Sequence, residues 1–189
     1  MTKIVLASGS PRRQELLQRI GITDFTIRVP QVEEWYPDDL SPAEIVSYIS
    51  REKSQAVPSD ADEIVITADT MVFLDDKRLG KPTDTEDALR MLTALAGRHH
   101  TVCTGVTVRQ GERILTRSAA TDVYFRSATE SELRAYIAGG EPMDKAGAYG
   151  VQGQGALLVE RIDGDFFNVM GLPVLLLSCM LREFGVTLL

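Results

Sequence analysis

The chain has 189 residues, 44% of them apolar and 25% charged, with a formal net charge of −7. That length builds one core, or two lobes sharing a sheet, rather than two independent domains. The acidic balance repels polyanions and so excludes a general binder of nucleic acid or of anionic membrane.

Residues 3–7 form a short apolar run ending in Ser-Gly, the pattern of a buried strand. Ser10 is placed to cap a helix with Pro11 at its first position. Leu16, Leu17 and Ile20 give that helix its apolar face, and Gly21 can end it. Residues 25–29 read as a second strand and 30–40 as a loop rich in acid and proline. Ser41-Pro-Ala-Glu44 is a capping box, and its helix runs to about Val57 with Ile45, Val46 and Ile49 on one face.

Residues 63–68, EIVITA, form a strand with Asp69 at its end. Residues 71–74 continue extended before the turn DDKRLGKP at 75–82. Asp84 opens a helix with Ala88, Leu89, Leu92 and Leu95 on its core side and Gly97 as its stop. Strands follow at 101–109 and 113–126, joined around Gln110-Gly111. Thr129-Glu-Ser-Glu132 is a second capping box, and Gly139-Gly140 ends its helix. Residues 141–173 are glycine-rich and loop-like, with strands near 156–162 and 166–170, and an apolar helix spans 173–184. Alternating strands and helices followed by hairpin strands predict an α/β protein with a mixed sheet.

The start of the chain lacks the pattern of a signal peptide. Its longest apolar stretch, 174–181, is interrupted by Ser178 and is too short for a bilayer. Cys103 and Cys179 lie far apart and form neither a metal cluster nor a disulfide framework. A cytoplasmic protein with no membrane partner is expected.

The chemistry-bearing residues each admit two readings. A strand end followed by Ser-Gly-Ser and a helix start is a ready anion site. Arg12 and Arg13 in that first turn oppose the helix dipole by roughly 0.3–1 kcal/mol each, unless an anion docks there; otherwise they are solvated surface arginines. Asp69, at a strand's carboxyl end, can hold a metal or orient a water, or can simply cap a turn with Thr70. Lys53 shares a helical row with Ile45 and Ile49 and either snorkels past the core or points into a cleft.

Lys81 sits in a turn between Gly80 and Pro82, as surface lysines often do. Glu33 and Glu34 are adjacent loop acids. His99 and His100 diverge from neighbouring strand positions, so any metal is oxygen-bound, Mg²⁺ or Mn²⁺ rather than Zn²⁺. Residues 144–152 suit close approach of a planar ligand, with the Gln152 amide able to pair with a base edge, or form a structural loop. No Ser-His-Asp or Cys-His pattern supports covalent catalysis.

Together LASGSPRRQELL (6–17), REKSQAV (51–57), ADTMV (68–72), GKPTD (80–84), DKAGAYGVQG (144–153) and IDGDFFNVMGLP (162–173) resemble, in order, the motifs of the Maf family of nucleoside triphosphate pyrophosphatases. The resemblance covers nearly all of residues 1–189. It implies a single domain with a mixed sheet forked between two lobes around a central cleft, similar to inosine triphosphate pyrophosphatases. It also implies a divalent metal, Mg²⁺ or Mn²⁺, and hydrolysis between the α and β phosphates.

By resemblance Asp69 and Lys81 are catalytic, and Glu34 joins Asp69 at the metal, with Glu33 one register away. Ser8, Arg12, Arg13, Lys53, Thr70 and Gln152 bind substrate. Arg12, Thr70 and Gln152 occupy the specificity positions of the branch acting on dTTP and UTP. The resemblance further suggests a homodimer. Thr67 departs from the family, where Gly is frequent, and 35–40 and 109–117 match no motif. Two alternatives stand beside this reading: a pyrophosphatase for methylated GTP, and a non-catalytic nucleotide-binding regulator of cell division.

Overall fold

Two capping boxes and one capping aspartate start three helices where the sequence places them. The Glu44 carboxylate accepts the Ser41 N–H at 2.9 Å. Glu132 accepts the Thr129 N–H at 2.7 Å while the Thr129 hydroxyl accepts the Glu132 N–H at 3.3 Å. Asp84 accepts the Asp87 N–H at 2.8 Å. Each bond satisfies a backbone donor that the helix itself leaves free.

The computed structural model describes residues 3–75 and 77–189; Asp76, inside the predicted turn 75–82, lies outside them. The elements are β1 (Lys3–Leu6), α1 (Pro11–Arg19), β2 (Thr26–Ile27), α2 (Pro42–Gln55), β3 (Glu63–Leu74), β4 (Lys77–Leu79), α3 (Thr85–Leu95), β5 (His99–Gln110), β6 (Arg113–Phe125), α4 (Glu130–Ala138), β7 (Val159–Asp163), α5 (Phe166–Met170) and α6 (Val174–Glu183). Short 3₁₀ turns occupy Glu141–Asp144, Ala146–Ala148 and Gln154–Leu158.

The strands form a seven-stranded sheet in the order β2-β1-β3-β5-β6-β7, with β4 paired to β3. β1 runs parallel to β2 and to β3, while β4 is antiparallel to β3 and β7 antiparallel to β6. This is the mixed α/β sheet with flanking helices that the sequence predicts.

Three expectations change. Asp69 lies inside β3 rather than at a strand end, because every residue of 63–74 except Thr70 is buried and the run holds one extended conformation. Parallel pairing with β1 nevertheless stops at Leu6 and Ile66, so Asp69 lies beyond that paired stretch. Residues 166–170 are helical, not a strand. The Asp165 carboxylate accepts the Phe167 N–H at 2.8 Å, and the Asn168 amide donates to the Val102 carbonyl and the Thr121 hydroxyl. The predicted turn at 75–82 contains β4, paired back onto β3.

The chain divides into two compact units. Unit 1 comprises residues 1–70, 104–119 and 171–189; unit 2 comprises 71–103 and 120–170. In unit 1, α2 lies directly on β5 at Gly105. A Cβ there would stand 2.2 Å from the Val46 carbonyl oxygen and 2.6 Å from the Ser47 nitrogen. Buried hydroxyls fix the same helix: Thr67 donates to the Ser50 carbonyl at 2.8 Å and Ser50 donates to Thr107 at 3.0 Å. Thr67 thus ties the strand to α2. Arg109 donates to the Ser54 and Val57 carbonyls at 2.9 and 2.6 Å, satisfying the carboxyl end of α2.

The core of unit 2 joins α3 and α4 to the sheet through Leu89, Leu92, Leu95, Leu133 and Ile137, and extends to Phe125 and Tyr149. His100 is buried against the rings of Phe125 and Tyr149, with Nε2 2.7 Å from the Tyr149 hydroxyl. His99, the next residue on the strand, is exposed and stacks on Tyr124.

Burial, reinforced by His99 and opposed by Asp122, brings the His100 imidazole down to about 4. An unfolded histidine titrates near ~6.5. Between these values the unfolded chain binds a proton that the native state refuses, so stability rises with pH across that window and is lost as pH falls through it. The contribution is on the order of 3 kcal/mol. Urea midpoints measured from pH 7 to pH 4 are expected to fall more steeply for the wild type than for His100→Gln.

Candidate active site

Unit 1 gathers two polar groups at the end of the β1–β3 pairing. In the first, the Lys53 ammonium on α2 donates to Asp69 Oδ1 at 2.7 Å and to Glu34 Oε1 at 2.9 Å. Lys53 and Asp69 are 17% and 7% exposed, so solvent screens this pair little. Lys53 leaves the apolar row of Ile45 and Ile49 for this pair of carboxylates and does not snorkel to solvent. Of the two adjacent loop acids, Glu34 is the one whose carboxylate meets Lys53.

One ammonium faces two carboxylates here, and Asp69 Oδ2 is buried with no hydrogen-bond partner among the described residues. A buried carboxylate oxygen without a donor is an open acceptor, suited to a cation or to a donor group of a ligand. Oxygen donors of this kind suit Mg²⁺ or Mn²⁺. Among the described residues no group of three or more His, Cys, Asp or Glu is placed to hold a metal ion. A cation at Asp69 and Glu34 therefore takes further donors from elsewhere, as Mg²⁺ does from phosphates.

The second group surrounds Arg13. Its Nε donates to the Gly171 carbonyl at 2.8 Å, Nη1 to the Ser8 hydroxyl at 3.2 Å and Nη2 to the Thr70 hydroxyl at 3.1 Å. All three acceptors are uncharged. Burial pushes this guanidinium down to about 10, with Asp69 and Glu34 raising it and Arg12 lowering it, so it stays charged at neutral pH. A fixed, charged guanidinium with no carboxylate bonded to it is suited to an anion. Ser10 sits at the cap position of α1 but makes no side-chain cap bond; the Ser8 hydroxyl accepts the Ser10 N–H instead, at 3.2 Å.

Arg12 is exposed and makes no hydrogen bond or ion pair among the described residues. The structure thus gives different surroundings to two arginines that are neighbours in the sequence. Trp35, which follows Glu34, is 66% exposed with its ring edge against Tyr48.

Unit 2 carries the other two candidates. Lys81 and Gln152 are both exposed. The turn bearing Lys81 is tied to the glycine-rich segment, because the Gly147 N–H donates to the Gly80 carbonyl at 3.0 Å. Cys103 is inert, its thiol pushed up to about 11 by burial and by Asp122.

Sequence reasoning missed two partners in unit 1. Thr104 places its hydroxyl 2.9 Å from that of Thr70. Gly171 supplies the carbonyl for Arg13 from a backbone with φ of +109°. The glycine of Val-Met-Gly-Leu-Pro is the one local signal for it.

Comparison with known proteins gives the same answer along the chain. Residues 3–184 match the family model described as Maf-like protein. A dTTP/UTP pyrophosphatase of Dictyoglomus turgidum is 47% identical over 191 residues, covering 99% of this chain and 98% of the relative. A dTTP/UTP pyrophosphatase of Moorella thermoacetica is 48% identical over 189 residues, covering 98% and 97%. Among solved structures, a HAM1 protein from Coxiella burnetii has a similar fold, with a TM-score of 0.52 at 13% identity over 97% of this chain and all of that one. With the six ordered motifs and the match over 3–184, the chain belongs to the Maf family.

Proposed function

We propose that this protein is a nucleoside triphosphate pyrophosphatase that cleaves dTTP and UTP, and related modified pyrimidine nucleotides, to the monophosphate and pyrophosphate. The observation that carries the reading is the buried, unpartnered Asp69 Oδ2 in a chain that also holds Arg13 charged on three uncharged acceptors.

Water attacks the α-phosphorus in line. A P–O bond to the water oxygen forms, the bond to the α,β-bridging oxygen breaks, and pyrophosphate leaves with the electron pair. Asp69 Oδ1 is committed to Lys53, so Oδ2 is the oxygen left to take the water's proton or to bind a cation. Lys53 keeps the Asp69 carboxylate in place and Glu34 within reach of it. Arg13, with Arg12 beside it, holds the charge that develops on the leaving phosphates. Ser8 and Thr70 orient Arg13 rather than moving protons. A divalent cation, Mg²⁺ or Mn²⁺, would be held by Asp69 and Glu34 and would neutralise phosphate charge. The enzyme works on free nucleotides in the cytoplasm, as a homodimer and without a nucleic-acid partner.

Incubation of the purified protein with dTTP, UTP and methylated GTP, with Mg²⁺ or Mn²⁺, tests this directly. Monophosphate and pyrophosphate from dTTP and UTP are expected. Release of single phosphate excludes the reaction, and preferential cleavage of methylated GTP moves the protein to the other branch. Binding without turnover under either metal selects the regulator.

Arg13→Lys retains the charge but loses the fork that reaches three acceptors. Its KM for dTTP is expected to rise about tenfold or more, with a steeper dependence on salt than the wild type shows. Unchanged steady-state constants across about 50–300 mM salt, over which the Debye length shortens from about 14 Å to about 6 Å, remove Arg13 from the phosphate site.

A further inference from the structure

The segment bearing Gln152 is wound around a single carboxylate. Glu141 Oε1 accepts the Tyr136 hydroxyl at 2.9 Å and the Gly155 N–H at 3.1 Å, and Oε2 accepts the Gln154 N–H at 2.8 Å. The Tyr136 oxygen in turn accepts the Gly150 N–H at 3.1 Å. Backbone donors on both sides of Gln152 therefore converge on Glu141 and the tyrosine bonded to it.

The glycines of Gly-Val-Gln-Gly-Gln-Gly make this close wrapping possible. A Cβ at Gly153 would stand 2.2 Å from Glu141 Oε2, and one at Gly155 would stand 2.7 Å from the Tyr136 hydroxyl and 2.4 Å from the Gly150 carbonyl. Burial alone would raise the Glu141 carboxyl. The Gly155 N–H, the Tyr136 hydroxyl, the Gln154 N–H and nearby Lys145 outweigh it and leave the carboxyl below its usual range. Glu141 is thus an ionised acceptor with its donors fixed in place.

We infer that Glu141 is the positioning residue of the nucleobase-reading loop: its carboxylate fixes the backbone at 154 and 155 directly and at 150 through Tyr136, and so fixes where Gln152 meets a base edge. The inference rests on the function proposed above, in which Gln152 reads the base. Glu141 acts through Gln152 and takes no part in the chemistry at phosphorus.

E141Q keeps the volume but sets an NH₂ group against a backbone N–H. Y136F removes only the hydroxyl between Gly150 and Glu141, and is the gentler variant should E141Q fold poorly. Steady-state kcat and KM are measured for dTTP, UTP, CTP and GTP, each variant alone and combined with Q152A. With E141Q, KM for dTTP and UTP is expected to rise about tenfold with kcat changed less than about threefold, and the preference over CTP and GTP to shrink by a similar factor. Y136F shifts the same quantities in the same direction by less. In the Q152A background either change adds less than about twofold, because the effect passes through a side chain already absent.

A lowered melting temperature with the wild-type base preference intact assigns Glu141 to stability alone and overturns the inference. So do losses that multiply with that of Q152A. If the wild type splits neither dTTP nor UTP, the functional reading falls and the inference with it. Active wild type with unmoved preferences in both variants overturns the inference alone.

Discussion

Asp69→Asn is expected to lower kcat for dTTP and UTP by about 10³-fold or more, with a much smaller change in KM. The substitution is nearly isosteric, so the loss is chemical. An amide cannot take a proton from water, and its oxygen offers a cation no formal charge. The fold should survive. Removing one partner of a buried ion pair costs most when the other charge is left alone, and here Lys53 keeps Glu34 at 2.9 Å. A product assay and a thermal melt on one preparation separate the two effects. Turnover within about tenfold of wild type assigns the chemistry to another residue. Lost turnover with a collapsed melt assigns Asp69 to the fold.

The largest expected effect on stability falls at a position with no side chain. Gly105→Ala puts a methyl group 2.2 Å from the Val46 carbonyl oxygen and 2.4 Å from its carbon. These are backbone atoms inside α2, and no rotamer change relieves the overlap. Overpacked cores lose about 1–3 kcal/mol where neighbours yield; backbone against backbone puts this variant at or above about 3 kcal/mol, a large share of the ~5–15 kcal/mol that holds a domain together. Gly80→Ala is the control, since a Cβ there meets nothing within 4 Å. Its urea midpoint should match the wild type, its stability changing by less than about 0.5 kcal/mol. Gly105→Ala should also lose activity beyond its loss of stability, because displacing α2 moves Lys53 off Asp69. Equal midpoints for the two variants rule out the close packing of α2 on β5.

What was legible in the sequence was what short segments decide for themselves. The capping boxes at Ser41 and Thr129 and the aspartate cap at Asp84 work through bonds spanning three residues, and all three start helices. The ordered motifs also hold Ser8, Arg13, Lys53, Asp69 and Thr70, which unit 1 brings, with Glu34, into two bonded groups. The illegible parts depend on distant segments. Phe-Phe-Asn-Val-Met has the composition of a strand, yet Asn168 is used up on Val102 and Thr121 of other strands. Asp69 reads as a strand's end because a charge seldom continues a buried run, but Lys53 arrives from another element and makes the charge tolerable. Glu141 gave no signal, since its partners lie 13 and 14 residues onward in a stretch that reads as loop.

The bond from Arg13 to the Gly171 carbonyl joins residues 158 positions apart. Ribosomes add residues in order, so an emerging chain carries its arginine long before it has this acceptor. Contacts of such long sequence separation form late and slowly. The guanidinium is therefore set only after the segment at 171 has been made and has docked. The phosphate affinity proposed for Arg13 then belongs to chains that have reached that segment, and shorter chains released early should not sequester nucleotide.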